Sequence, residues 1–411
     1  MSERTKKILF AIIFILISIG MGYFVYILLF KGVAPSQPTP TPTPGNINPL
    51  PSAGNGPPAT STAQNPGQLP PGGVVPGTTP GQETPTTPSN TQVLVSGVTQ
   101  AVVPSPNGDG ARYYNPQDGR FYHVQTDGTI SALSDKQFFN VQDVSWGNTK
   151  DQTIMTFPDG SNVYYDFTQQ EQINLPSYWQ DFQFAPNDNS VASKSIGQDP
   201  NNRYLITSNP DGTEAKAIAA LGDNADKVVV KWSPSSQMVG YSFTGDPQSG
   251  NEQQVLFVGQ HQENFPSIIA PGQGFVGNWS PTGKSILFST WEPEDSNKPT
   301  LWIASGQAST MGTDRKDLLL HTWADKCAWA NDTTLFCGVP QDLPDNAGVM
   351  RSQFTNLPDD LYKLDLLAGT AVKVSTPDQD HPVRDPIVNK DGTKFIFSDA
   401  QTGTLYSYNI H

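Results

Sequence analysis

The stretch Val276-Gly-Asn-Trp-Ser-Pro-Thr-Gly-Lys-Ser-Ile-Leu-Phe-Ser289 decides the fold. An apolar approach leads to Trp279, a Ser-Pro-Thr-Gly turn follows, and Ile286-Leu-Phe288 runs back out. Turn residues between two β-rich runs make a hairpin. The unit recurs closely as Val230-Lys-Trp-Ser-Pro-Ser-Ser-Gln-Met-Val-Gly-Tyr-Ser-Phe243, and in looser form five more times. Aligned on the anchor, the seven copies place Pro104, Trp146, Phe184, Trp232, Trp279, Trp329 and Val388 in register, at intervals of 42, 38, 48, 47, 50 and 59 residues. A self-similar unit of roughly 40 to 50 residues built only of short strands predicts a β-propeller. The expected fold is therefore all-β, a seven-bladed propeller over residues 91–411.

Each unit divides into four strands. In the second they are expected at 143–147, 153–157, 162–167 and 172–175; in the third at 181–185, 190–195, 203–208 and 214–219. The seventh unit has only three strands before the chain ends on Thr404-Leu-Tyr-Ser-Tyr-Asn-Ile410, while Gln92-Val-Leu-Val95 has nothing before it to pair with. We expect the early strand to complete the last blade, closing the ring and covering its edge. The tryptophans at the anchor, Trp146, Trp232, Trp279 and Trp329, then belong between blades.

The rest of the chain is of different composition. Residues 8–30 are 23 positions without a charge, preceded by Arg4, Lys6 and Lys7. That length spans a bilayer as a helix, and basic residues before it hold the N-terminus in the cytoplasm. We read residues 1–31 as a cytoplasmic tip and transmembrane signal-anchor, with everything after it outside the cytoplasm. Residues 32–90 hold 16 prolines and one charge, Glu83. Such a segment has too little apolar surface to offset its ordering entropy, and Thr39-Pro-Thr-Pro-Thr-Pro44 favours an extended spacer of roughly 3 Å per residue. We read it as a disordered stalk.

Removing Glu3, Arg4, Lys6, Lys7 and Lys31 leaves 20 basic against 37 acidic residues, a balance of −17. That argues against nucleic acid, whose backbone needs clustered Lys and Arg. The two cysteines, Cys327 and Cys337, sit on the arms of one hairpin. A hairpin symmetric about Asp332 brings them face to face. An extracytoplasmic disulfide is one outcome and a pair of buried thiols the other.

The run Trp-Ser-Pro-x-Gly-Lys-x-Ile-x-Phe at Trp279–Phe288, followed by Thr300-Leu-Trp-Ile303, resembles the TolB-type WD40-like propeller repeat; Trp232–Phe243 with Gln254-Val-Leu-Phe257 is similar to it as well. The resemblance covers residues 91–411 and implies the propeller fold. Its members include periplasmic scaffolds and accessory domains of peptidases, so it implies no single activity. An apparent seven units, a membrane anchor and no separate α/β domain set this chain apart from the founding member.

Linear catalytic signatures are missing. The five histidines (His123, His261, His321, His381, His411) are scattered, with no zinc spacing. Gly240-Tyr-Ser-Phe-Thr244 fails as a nucleophile elbow. Pro106-Asn-Gly-Asp-Gly110 resembles a calcium loop but lacks the later ligands, and sits where a hairpin turn belongs. No metal and no cofactor are expected.

Candidate function falls on the face where connections between blades gather with those between second and third strands. Phe138, Phe139, Tyr178, Trp179, Phe275, Trp291, His321, Trp323, His381 and Arg384 are expected there. Aromatic rings in polar loops suit protein or sugar contact, although packing between blades also consumes such rings. The longest irregular insert, 339–360, carries Met350, Arg351 and Phe354; an insert of that length suggests a partner-contact loop. Three functions follow: a tethered non-catalytic module binding an envelope protein or glycan, a hydrolase or lyase with its site in the funnel, or a structural subunit held through the propeller's sides. Convergent carboxylates with His or Arg would favour the second, an apolar mouth the first, and a polar mouth with an apolar side patch the third.

Overall fold

The computed structural model describes residues 91–261, 263–375 and 380–410. The expected anchor and stalk lie outside the described residues. Among the described residues no helix is long and apolar enough to cross a membrane.

The described chain forms seven four-stranded antiparallel sheets, each built outward from an innermost strand. Blade two uses Asp143–Trp146, Gln152–Thr156, Asn162–Asp166 and Glu171–Leu175, within a residue of the expected spans. Blade three begins earlier than expected, at Trp179–Phe184. Its innermost strand carries a bulge between Gln180 and Gln183. The extra residue, Asp181, takes φ 55°, and Ala101 and Asp385 do the same in blades one and seven at 49° and 50°. A bulge bends the strand and raises its twist, so the periodic pattern breaks just where it was read to start.

Closure is by the early strand. Thr91–Val95 lies antiparallel to Leu405–Asn409, with Gln92 opposite Ser407 and Val93 opposite Tyr406. It is the outermost strand of blade seven, which otherwise runs Val383–Val388, Lys394–Asp399 and Leu405–Asn409. Thr99 fastens the joint: its N–H and Oγ1 both donate to Gly403 O, at 2.8 and 2.7 Å.

The core is seven separate clusters, one at each interface between neighbouring blades. A blade's sheet is apolar on both faces and cannot bury either alone, which is why repetition and closure are needed together. Trp146, Trp232 and Trp279 are buried in three of these clusters, and Trp329 is partly buried in a fourth. The Trp146 indole also donates to Ala101 O of blade one at 2.8 Å. Cys327 stands opposite Cys337 in blade six, and the two form a disulfide with 4.0 Å between their Cα atoms.

Two polar devices link the blades on the face opposite the gathered connections. The Asp188 carboxylate, buried in blade three, accepts from Asn148 N, Thr149 N and Lys150 N of blade two at 2.5, 2.6 and 2.9 Å, and from Thr149 Oγ1 at 2.8 Å. Asp332 of blade six repeats this toward blade five, accepting from Thr282 N and Oγ1. In Pro106–Gly110 the Asn107 side chain accepts from Asp109 N, a turn contact.

Candidate functional site

The mouth residues divide by burial. Phe138 packs on Phe121 and Tyr165 between blades one and two. Trp179 belongs to the cluster between blades two and three, and Phe275 stacks on Phe288 between four and five. Trp323 is buried, with the Arg351 guanidinium 5.1 Å above its ring. His381 is buried on Tyr406 and bonds Asp399 Oδ2 through Nδ1 at 2.9 Å. These five rings are withdrawn from any contact face, because each lies near the start of an innermost strand where blades converge. Phe139 and Tyr178, 51% and 53% exposed, stay on the surface. His321 is half exposed beside Asp295 at 3.2 Å, and Trp291 is partly covered.

Arg384 serves the joint as much as the mouth. Its guanidinium donates to Thr99 O at 3.1 Å, across the closure, and lies 3.3 Å from the Asp385 carboxylate. Burial pushes the Asp385 carboxyl above the usual range, against the pull of Arg384 and a hydrogen bond from Ser398. Other charges are paired too: Lys194 with Asp181 at 2.6 Å, Arg351 with Asp325 at 2.7 Å, and buried Lys326 with Asp359 at 2.5 Å. The mouth is thus polar and largely self-neutralising. Among the described residues no group of three or more His, Cys, Asp or Glu could hold a metal ion.

The irregular insert spans 341–358, since strands continue to Pro340 and resume at Asp359. It leans on blade five: Asn346 N donates to Ser296 O and Gly348 N to Asn297 O, both at 2.8 Å. Arg351 pins it to Asp325, Phe354 is partly covered, and Met350 and Val349 remain exposed.

One level of the channel wall was not anticipated. The residue before each anchor in blades two to five is polar: Ser145, Gln183, Lys231 and Asn278. Ser145 Oγ donates to Phe182 O of blade three. Gln183 Oε1 accepts from Trp232 N of blade four, and Asn278 Nδ2 donates to Ala324 O and Cys327 O at the start of blade six. The signal was present in the repeat alignment, one column from the tryptophans.

Exposed apolar side chains gather elsewhere. Of nine large apolar residues that stand exposed among the described residues, Leu319, Val349, Met350, Leu367 and Val372 belong to blades five and six or their connections. Leu319 and Leu367 are 82% and 83% exposed. Leu319 lines a groove of about 110 Å³ with Ile303, Leu318, Leu364, Leu366 and Ala371, on the flank between the two blades.

No family model matches the chain, and no curated protein sequence does. Solved structures similar to it are propellers. An oligogalacturonate lyase in complex with manganese superposes with a TM-score of 0.55 at 11% identity, covering 78% of this chain and 93% of its own. The Cps50 β-propeller domain of Myceliophteria thermophila gives 0.53 at 10%, covering 78% and 100%. An oligogalacturonate lyase from Vibrio parahaemolyticus gives 0.52 at 11%, covering 80% and 95%. At such identities the likeness is one of fold, and at that level it agrees with the TolB-type repeat.

Proposed function

We propose that the protein is a non-catalytic structural subunit of a cell-envelope assembly that holds a partner protein through the flank between blades five and six. The observation that carries this is Leu319, nearly bare at a small apolar groove, with equally bare Leu367 next in sequence to the lining residue Leu366, while the mouth is polar and paired. The occupant is an extended segment of the partner that seats one branched apolar side chain. An apolar cavity of about 150 Å³ takes up benzene, so the groove suits one such side chain. Lys316 lines the groove, and the nearby acids are engaged in their own turns: Asp317 accepts from Leu319 N, and Asp365 from Leu367 N and Ala368 N. A carboxylate beside the apolar anchor of the partner meets Lys316. Burial of five of the ten mouth residues favours a protein over a sugar-stacking partner. The disulfide supports a location outside the cytoplasm, where the anchor reading also places the domain.

A photo-reactive residue at 367 is expected to cross-link a single protein in cells, with Leu319→Asp abolishing the product, and one at 178 is expected to give none. Cross-linking only from 178 would move the interaction to the mouth. A lyase or hydrolase reading has one specific support, the raised Asp385 carboxyl beside Arg384. Turnover of a glycan lost in Asp385→Asn would establish it.

A further inference from the structure

The channel contains a polar site that the flank reading leaves unused. The inner strands of blades one to four wall a cavity of about 460 Å³ whose lining includes Ser145, Gln183 and Lys231. These three stand one residue before Trp146, Phe184 and Trp232, hence at one depth on neighbouring blades. Ser145 spends its hydroxyl proton on Phe182 O. The Trp232 N–H, 2.7 Å from Gln183 Oε1, fixes which way that amide points. The amide NH₂ is thereby turned from Trp232 N, and among the described residues it has no acceptor. The Lys231 amine likewise has no hydrogen-bond acceptor and no ion-pair partner within 4 Å among the described residues. Lys194, Lys326, Arg351 and Arg384, by contrast, are each paired.

Two unspent donors at one level, one of them cationic, with Phe182 and Trp146 among the lining residues, make a small-ligand site of ordinary design. Asp143 shares the cavity, but it precedes its anchor by three residues, so it lies roughly 7 Å along the strand from this level. Burial holds the Lys231 amine below the usual lysine range, with Asp325 pulling the other way. An anion seated beside the amine would offset that burial.

We infer that the channel binds a small ligand through its carboxylate, held between the Lys231 amine and the Gln183 amide. The carboxylate accepts from both donors, and its other end points along the channel.

The test uses the whole protein and succinate as probe, with succinamide as the neutral control. Trinitrobenzenesulfonate labelling of each lysine is followed by peptide mass spectrometry. Saturating succinate is expected to slow Lys231 labelling at least fivefold, with Lys316 unchanged and succinamide without effect. In Gln183→Glu the side chain still accepts from Trp232 N, so the strand is kept, while the donor is replaced by a negative charge; protection should vanish. Equal protection by succinamide, no protection by succinate, protection persisting in Gln183→Glu, or a Lys231 that never labels would each overturn the assignment.

Discussion

Leu319→Asn should make the protein slightly more stable and a worse binder. Leu319 sits at φ 57°, the left-handed region. For an ordinary L-residue that conformation costs about 1–2 kcal/mol, and Asn tolerates it far better. The side chain is 82% exposed, so truncating it forfeits little burial. With about 2 kcal/mol for a fully buried leucine, the loss is about 0.4 kcal/mol. The Leu319 N–H bond to Asp317 Oδ1, 2.7 Å, belongs to the backbone and survives. The net expectation is a gain of about 0.5 kcal/mol. In a domain of this size that moves Tm by less than about 1 °C, so urea denaturation with replicate midpoints is the better assay. Binding should change in the other direction. If the leucine is buried by the partner, its loss costs about 1.5–3 kcal/mol, roughly a tenfold to hundredfold rise in Kd. Leu367→Asn is the control, since Leu367 is as exposed but has no positive φ: weaker binding, no stability gain. A destabilised Leu319→Asn, or one that binds its cross-linked partner as tightly as the parent, would refute the reasoning.

Asp188→Asn should cost about 3 kcal/mol in urea unfolding, since the new NH₂ faces donors and at least two charge-assisted bonds are lost; a change below about 0.5 kcal/mol would mean the carboxylate is not what joins blades two and three. Cys327→Ala with Cys337→Ala should cost about 2.7 kcal/mol for a sequence separation of 10, about 4 °C in Tm, and dithiothreitol should lower the parent's Tm but not the variant's. Lys231→Met should raise stability at pH 7. Folding holds the Lys231 proton more weakly than the unfolded chain does, so the penalty is full below the folded pKa. It fades as pH rises from there toward the ordinary lysine value, and urea midpoints across alkaline pH should rise in the parent with a flatter slope in the variant.

The repeat was legible because each anchor lies in a local pattern, aromatic residue then turn then alternating strand, that a reader can align. Closure was legible for the same reason: Gln92–Val95 belongs to none of the seven units, and the seventh unit, ending on Leu405–Asn409, shows only three strands. The mouth was not. Sequence assigns Phe138 or Trp179 to a connection, but whether the ring turns inward depends on where the next blade's strand begins, and the bulges at Asp181 and Asp385 shift that start. Asp188 and Arg112 escaped notice altogether. Arg112 is buried, reaches from blade one to Gly147 O and Lys150 O of blade two, and carries Trp146 beneath its guanidinium at 4.8 Å. Neither has a local signature, because its partners on the neighbouring blade lie 35 to 40 residues away.

Blade six and its junctions carry several rigid devices. The disulfide staples the two inner strands of blade six, and Lys326, in the turn just before the first of them, is tied to Asp359 at the start of the third, Asp359–Asp365. Val383 N donates to the same Asp359 carboxylate, so blade seven is held there as well. The insert straps blade six to blade five through Asn346 and Gly348, and Asn278 reaches from blade five to Ala324 and Cys327. Density of this kind is not unique to the junction of blades five and six, since Asp188 joins blades two and three through four bonds and Arg112 and Trp146 join blades one and two. What sets this junction apart is the groove beside it: each degree of freedom frozen before binding is one the partner need not freeze. On that argument, Asn346→Ala, which removes the 2.7 Å bond that Asn297 Nδ2 of blade five donates to Asn346 Oδ1, combined with Arg351→Ala, which frees the insert from Asp325, should loosen the strap while sparing the groove and weaken partner binding through faster dissociation.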